Sequence, residues 1–258
     1  MHRTLFVAAA SLLAFLPAVP AGPQTAPGGV QSTPQTLKAT YDQAVLAKDW
    51  PAAVAAAQQL VDVNATSANL LLLANAQLYA ASGQSDPGPM EASLATYDRA
   101  LAAAEQEKPA PGQPDQSQPD QAQSYQAWKD GVAKIYVGKG NALLKLKRNA
   151  EAIDSYNRAA ELSSTPGKAY FNVCAAAYNT GDVNGAIAAC RKSLQADPTN
   201  ANAWFVLGSS LFSGASTDAS GKFVISAETR QALEKYLELA PNGPHAVDVK
   251  QMLDFAAK

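Results

Sequence analysis

Histidine and cysteine are almost missing from this 258-residue chain, each occurring twice, as His2 and His245 and as Cys174 and Cys190. That scarcity removes most of the chemistry a side chain can perform. Two cysteines sixteen residues apart, with His245 remote from both, do not make a zinc-ligand pattern. A nucleophile with its base and orienting acid has nothing to assemble from, and no Gly-x-Ser-x-Gly elbow occurs. Phosphate-cradling loops are also missing, because Gly138-Lys139-Gly140 falls inside a helical pattern where its glycines allow close packing. Charge is scarce too, at 16% of residues, and 20 Lys+Arg against 22 Asp+Glu leave a net charge of −2 with no basic block. Such a surface lacks the field that holds a phosphate backbone, so nucleic acid is excluded as a partner. No metal or cofactor is indicated, and catalysis is not expected.

What the chain has is small aliphatic bulk: 47% hydrophobic residues but only 7% aromatic ones. At the N-terminus, MHRTLFVAAASLLAFLPAVPAGPQ combines one Arg, an apolar run from Leu5 to Leu16 and small residues at Val19 and Ala21. This is the pattern of a secretory signal peptide over 1–21, cleaved after Ala21. The run falls short of the roughly 20 residues a membrane span needs, and no later segment approaches that length, so no membrane span is expected after cleavage. Export to the periplasm or the exterior is the expectation. Asn64-Ala65-Thr66 is a formal glycosylation sequon, of consequence only in a eukaryotic secretory route.

Residues 22–33 and 106–123 are rich in Pro, Gln and Gly with hardly a large apolar side chain, and read as linkers. Elsewhere apolar residues recur at helical spacing with Pro or Gly at the breaks, and no strand period stands out beyond a few residues around Lys222 to Ile225. The fold class is all-α.

The clearest stretch, GKAYFNVCAAAYNTGDVNGAIAACRKSLQADPTN, spans 34 residues from Gly167. Counted from that Gly, Tyr170 stands at position 4, Val173 at 7, Cys174 at 8, Gly181-Asp182 at 15 and 16, Ala186 at 20 and Pro198 at 32. Small residues at 8 and 20 let two antiparallel helices approach, Gly-Asp turns between them, and Pro stops the second. The frame recurs from Ala133, with Tyr136, Gly140, Leu143, Ala152, Tyr156 and Ala159 in register, and from Ala201, with Trp204, Leu207, Gly208 and Leu211. In the last repeat about nine extra residues separate the helices, and a small hairpin around Ser220-Gly221 is expected there. The pattern resembles the tetratricopeptide repeat.

The resemblance implies a right-handed superhelical solenoid of antiparallel helix pairs. Two divergent pairs fall in 34–105, and three repeats follow at 133–166, 167–200 and 201–242 within a region from 124 to 258. A capping helix at 244–257 closes the array, as an end repeat requires. The insert and the ending KYLELAPNGPHAVDVKQML are similar to a group of exported bacterial members.

Two readings of the cysteines stay open. Cys174 and Cys190 at positions 8 and 24 are two buried thiols, or, facing each other across the helix pair in an oxidising compartment, a disulfide. The resemblance also implies a concave groove lined by positions 2, 5, 9, 12 and 13. These are Lys134, Val137, Asn141, Leu144 and Lys145; Lys168, Phe171, Ala175, Tyr178 and Asn179; and Asn202, Phe205, Ser209, Phe212 and Ser213. The chaperone-tail clamp of some family members is not matched, since its basic positions hold Val137, Asn202 and Val206. The implied function is a non-enzymatic scaffold holding a protein or peptide partner in this groove. The alternative is a structural subunit of an envelope assembly that uses its outer faces and inserts.

Overall fold

The computed structural model describes residues 33–109, 119–219 and 223–256. The expected signal peptide, nearly all of the first linker and residues 110–118 of the second lie outside the described residues. From 34 onward the chain is one compact unit. Its helices are α1 (Pro34–Ala47), α2 (Trp50–Val63), α3 (Ser67–Ala81), α4 (Gly88–Gln106), α5 (Pro119–Lys145), α6 (Asn149–Leu162), α7 (Gly167–Asn179), α8 (Val183–Ala196), α9 (Ala201–Phe212), α10 (Ala227–Leu239) and α11 (Ala246–Phe255). Each odd-numbered helix up to α9 pairs with the next, each pair packs on the following one, and α5 also touches α3 as α9 touches α7. Among the described residues the result is an all-α solenoid of five helix pairs closed by α11.

Repetition is visible in the backbone itself. After α1, α5 and α7 the chain turns through a left-handed residue, Lys48 (φ 57°), Lys147 (φ 59°) or Gly181 (φ 79°). At each turn the same two hydrogen bonds close the helix: Lys48 N–H to Val45 O and Asp49 N–H to Ala44 O; Lys147 to Leu144 and Arg148 to Leu143; Gly181 to Tyr178 and Asp182 to Ala177. Asp49 and Asp182 then cap α2 and α8 by accepting from Ala52 N–H at 3.1 Å and Gly185 N–H at 2.9 Å.

Inside each pair one site is shared between positions 8 and 24, and the volume is divided differently each time. The first repeat has Tyr41 and Ala57 at these positions and the second Ala74 and Tyr97, while the third sets Gly140 against Tyr156; all six are buried. A Cβ on Gly140 would land within the Tyr156 ring. In the fifth, a Cβ on Gly208 would collide with Leu233, which occupies position 24 once nine inserted residues are allowed for. Large beside small holds the helix spacing at native density in every case.

Two elements differ from the sequence reading. Helix α5 begins at Pro119, so 119–123, read as linker, are helical. Pro suits a first helical position, and Trp128 ties the early turns to α4 by donating from Nε1 to Ala104 O at 2.7 Å. The capping helix starts at Ala246 rather than at Pro244, because His245 N–H donates to Tyr236 Oη at 2.9 Å and holds 243–245 in a turn. The insert contains a two-stranded antiparallel ribbon, β1 (Ser216–Thr217) with β2 (Phe223–Val224), pairing Ser216 with Val224 and Thr217 with Phe223. Its expected tip, Ser220-Gly221, lies outside the described residues.

Candidate functional site

The first helices of successive repeats share one face, and between them lies a cleft of about 820 Å³. Its wall carries Asn75 from α3; Asp130, Lys134, Val137 and Asn141 from α5; Lys168, Phe171 and Asn172 from α7; and Asn202 from α9. Ser163, Ser164 and Thr165 add the rim between α6 and α7. Of the groove residues expected from the sequence, Lys134, Val137, Asn141, Lys168, Phe171 and Asn202 come together here.

The others do not join them. Lys145 borders a separate recess beside the α3–α4 loop, with Ala81 and Met90. Leu144 packs against the core, and Tyr178 and Asn179 stand exposed at the end of α7. Phe205, counted among the groove positions, is covered instead: the His245 ring lies flat on it at 3.7 Å between centroids and an interplanar angle of 3°. Phe212 is likewise covered by Phe223 of the ribbon at 5.4 Å, which in turn meets Phe255 of α11 at 4.9 Å. Ser209 is buried. The groove face is thus covered from Phe205 onward along α9 by the insert and the C-terminal turn, and open from α3 to Asn202 at the start of α9.

Electrostatics within the cleft favour donors. The acid on its wall, Asp130, is engaged by Ser164, whose N–H donates at 2.6 Å and whose hydroxyl donates at 2.8 Å. That backbone bond above all, with Lys134 nearby, holds the Asp130 carboxyl below its ordinary range. Against it stand the ammonium groups of Lys134 and Lys168 and the carboxamides of Asn75, Asn141, Asn172, Asn200 and Asn202. Two of those carboxamides are held from behind: Tyr97 Oη donates to Asn75 Oδ1 at 2.6 Å and Tyr156 Oη to Asn141 Oδ1 at 2.7 Å. Burial pushes the Tyr156 phenol up to about 12 and raises Tyr97 as well, so both hydroxyls keep their protons.

Asn75 escapes a sequence reading that begins the second repeat at Ala68, which sets it one place out of register. Helix α3 begins at Ser67 behind the Thr66 cap, and Asn75 then occupies position 9, as Asn141 does. A Thr-x-x-Asn cap signal ahead of the apolar run is the clue that places it.

In the fourth pair the shared site holds the two cysteines. Cys174 on α7 and Cys190 on α8 are joined as a disulfide with Cα atoms 5.0 Å apart, both fully buried. Among the described residues no three His, Cys, Asp or Glu side chains gather as a metal site would need, and no helix is long and apolar enough to cross a membrane.

Residues 110–169 and, overlapping them, 139–201 match the tetratricopeptide repeat family model. Residues 110–201 therefore resemble tetratricopeptide repeats in sequence. The same solenoid appears in the solved tetratricopeptide structure of YrrB, described as having an unusual peptide-binding site, at a TM-score of 0.53 and 14% identity over 86% of this chain and 94% of that one. It appears again in MamA, at a TM-score of 0.53 and 17% identity over 81% of this chain and 92% of that one. At such identities the likeness is one of fold. No curated protein sequence matches the chain.

Proposed function

We propose that this tetratricopeptide chain is an exported, non-enzymatic scaffold that holds an extended peptide or protein segment in the cleft between α3 and α9. One observation carries the reading: the cleft of about 820 Å³ gathers Phe171, Val137, two lysines and five asparagines from successive first helices. Apolar contact with Phe171 and Val137 supplies affinity, and the amides supply hydrogen bonds that an extended main chain can use at each step. Export rests on the N-terminal pattern of Arg3, the apolar run and Ala21. Peptide binding described for YrrB is in keeping with this reading.

Substituting Phe171→Ala together with Asn202→Ala tests it. Capture of partner segments should fall about tenfold or more with the helical signal unchanged, and unaltered capture would remove the cleft from consideration. N-terminal sequencing of protein recovered outside the inner membrane should begin at Gly22. A chain that stays in the cytoplasm and begins at Met1 would contradict export.

A further inference from the structure

We infer that Tyr97 and Tyr156 are positioning residues for ligand recognition, fixing Asn75 and Asn141 so that their carboxamide N–H groups face the cleft and read main-chain carbonyls of an extended peptide. The inference rests on the cleft being the binding site, and adds which atoms do the reading. A carboxamide has one accepting and one donating end, and unrestrained it presents either. Here the choice is made from inside the protein. Each phenol hydroxyl donates to the oxygen end of its amide, Tyr97 Oη to Asn75 Oδ1 and Tyr156 Oη to Asn141 Oδ1, which leaves the Nδ2 end of each to the cleft. Neither Asn75 Nδ2 nor Asn141 Nδ2 has a hydrogen-bond partner among the described residues, and both side chains line the cleft. The two donors stand at the same position of consecutive repeats, so they repeat along the solenoid.

The rings themselves are clamped. Tyr156 lies against Gly140, and Tyr97 lies against Gly138 of the following repeat, where a Cβ would intrude on the ring in each case. This leaves the hydroxyls no freedom to swing away. The device occurs only where Tyr at 24 coincides with Asn at 9. The first repeat has Asp42 at position 9 and Ala57 at 24, the fourth has Ala175 with the disulfide, and the fifth has Ser209 with Leu233. Reading of main-chain carbonyls is therefore concentrated on α3 and α5.

Capture on an array of end-blocked nonapeptides of randomised sequence tests this, using the mature chain and the variants Tyr156→Phe, Asn141→Ala and their combination. Tyr156→Phe removes one oxygen and keeps the ring. The expected result is a loss of roughly threefold to tenfold for Tyr156→Phe and a similar loss for Asn141→Ala, with no further loss when both are combined. Asn141→Asp keeps the bond from Tyr156 while turning the cleft-facing donor into an acceptor, and should lose capture at least as severely. In the free protein, the Asn141 carboxamide resonances should shift in Tyr156→Phe while backbone resonances of α7 stay in place. Full capture by Tyr156→Phe, or losses that simply multiply in the double variant, would overturn the positioning role and leave the cleft as the binding site. Absence of any captured peptide by the unaltered chain would overturn both.

Discussion

Two lysines bear a conformation that suits glycine. Lys48 and Lys147 take positive φ at turns where the fourth repeat has Gly181, and a Cβ is disfavoured there. Lys147→Gly should stabilise the protein by roughly 0.5–1 kcal/mol, read from the midpoint of urea unfolding, and Lys48→Gly by a similar amount. The same change at Lys145, the last residue of α5, should bring no such gain. Equal effects at 145 and 147 would contradict the turn assignment. The turns were legible in sequence because Gly181-Asp182 and Lys48-Asp49 stand at the same point of the frame. The positive φ of Lys147 was not, since lysine carries no signal for it. Asn141 could be placed on the groove face by counting, but its bond to Tyr156 joins residues on two helices and depends on how those helices close.

Helix pairs are interchangeable in shape while differing in what fills the site between them. Where the third pair has Gly140 and Tyr156, the fourth has the Cys174–Cys190 bond. Reduction, or replacement of both cysteines by Ser, should cost about 2–4 kcal/mol, because the bond closes a loop of sixteen residues and leaves an underfilled site when lost. Cys174→Gly with Cys190→Tyr should recover much of that stability in reducing buffer, whereas Cys190→Tyr alone should be worse than the Ser pair. Failure of the Gly–Tyr pair to improve on Ser–Ser would show that the two repeats are not equivalent at this site. At this scale the sequence was read well where small residues and Pro198 mark a pair, and poorly where marks are absent. Residues 119–123 look like linker because Pro and Gln dominate, yet the anchoring by Trp128 comes from α4, 24 residues away in sequence. Phe205 and Phe212 fit groove positions by count, and only the path of the insert and of His245 shows that their faces are taken.

Over the whole molecule, stability should be bounded by groups whose ionisation folding shifts. Glu228, bonded by Arg191 between α8 and α10, and Asp130, bonded by Ser164, both have lowered values in the folded chain. Their contribution is present above the unfolded carboxylate range near pH 4 and is lost as pH falls through the lower folded values. Tyr97 and Tyr156 act at the opposite end. Their raised values favour the fold below about pH 10, and that advantage disappears as pH climbs through the Tyr156 value of about 12, since unfolded tyrosines ionise first. Thermal midpoints should therefore be level between about pH 5 and 9 and fall on both sides, with the alkaline fall reduced in Tyr156→Phe. An alkaline limb identical in that variant would count against burial of the phenol as its cause.

The solenoid gives these local devices a common direction, since Asn75 on α3, Lys134, Val137 and Asn141 on α5, Lys168 and Phe171 on α7 and Asn202 on α9 face one cleft. A photoreactive residue placed at position 171 on α7, compared with one at position 158 on α6, examines that arrangement in the native envelope. Crosslinking to a partner from 171, blocked by peptides selected on the array and weak from 158, is the predicted result. Crosslinking from 158 with none from 171 would contradict it and move the binding surface to the outer helices.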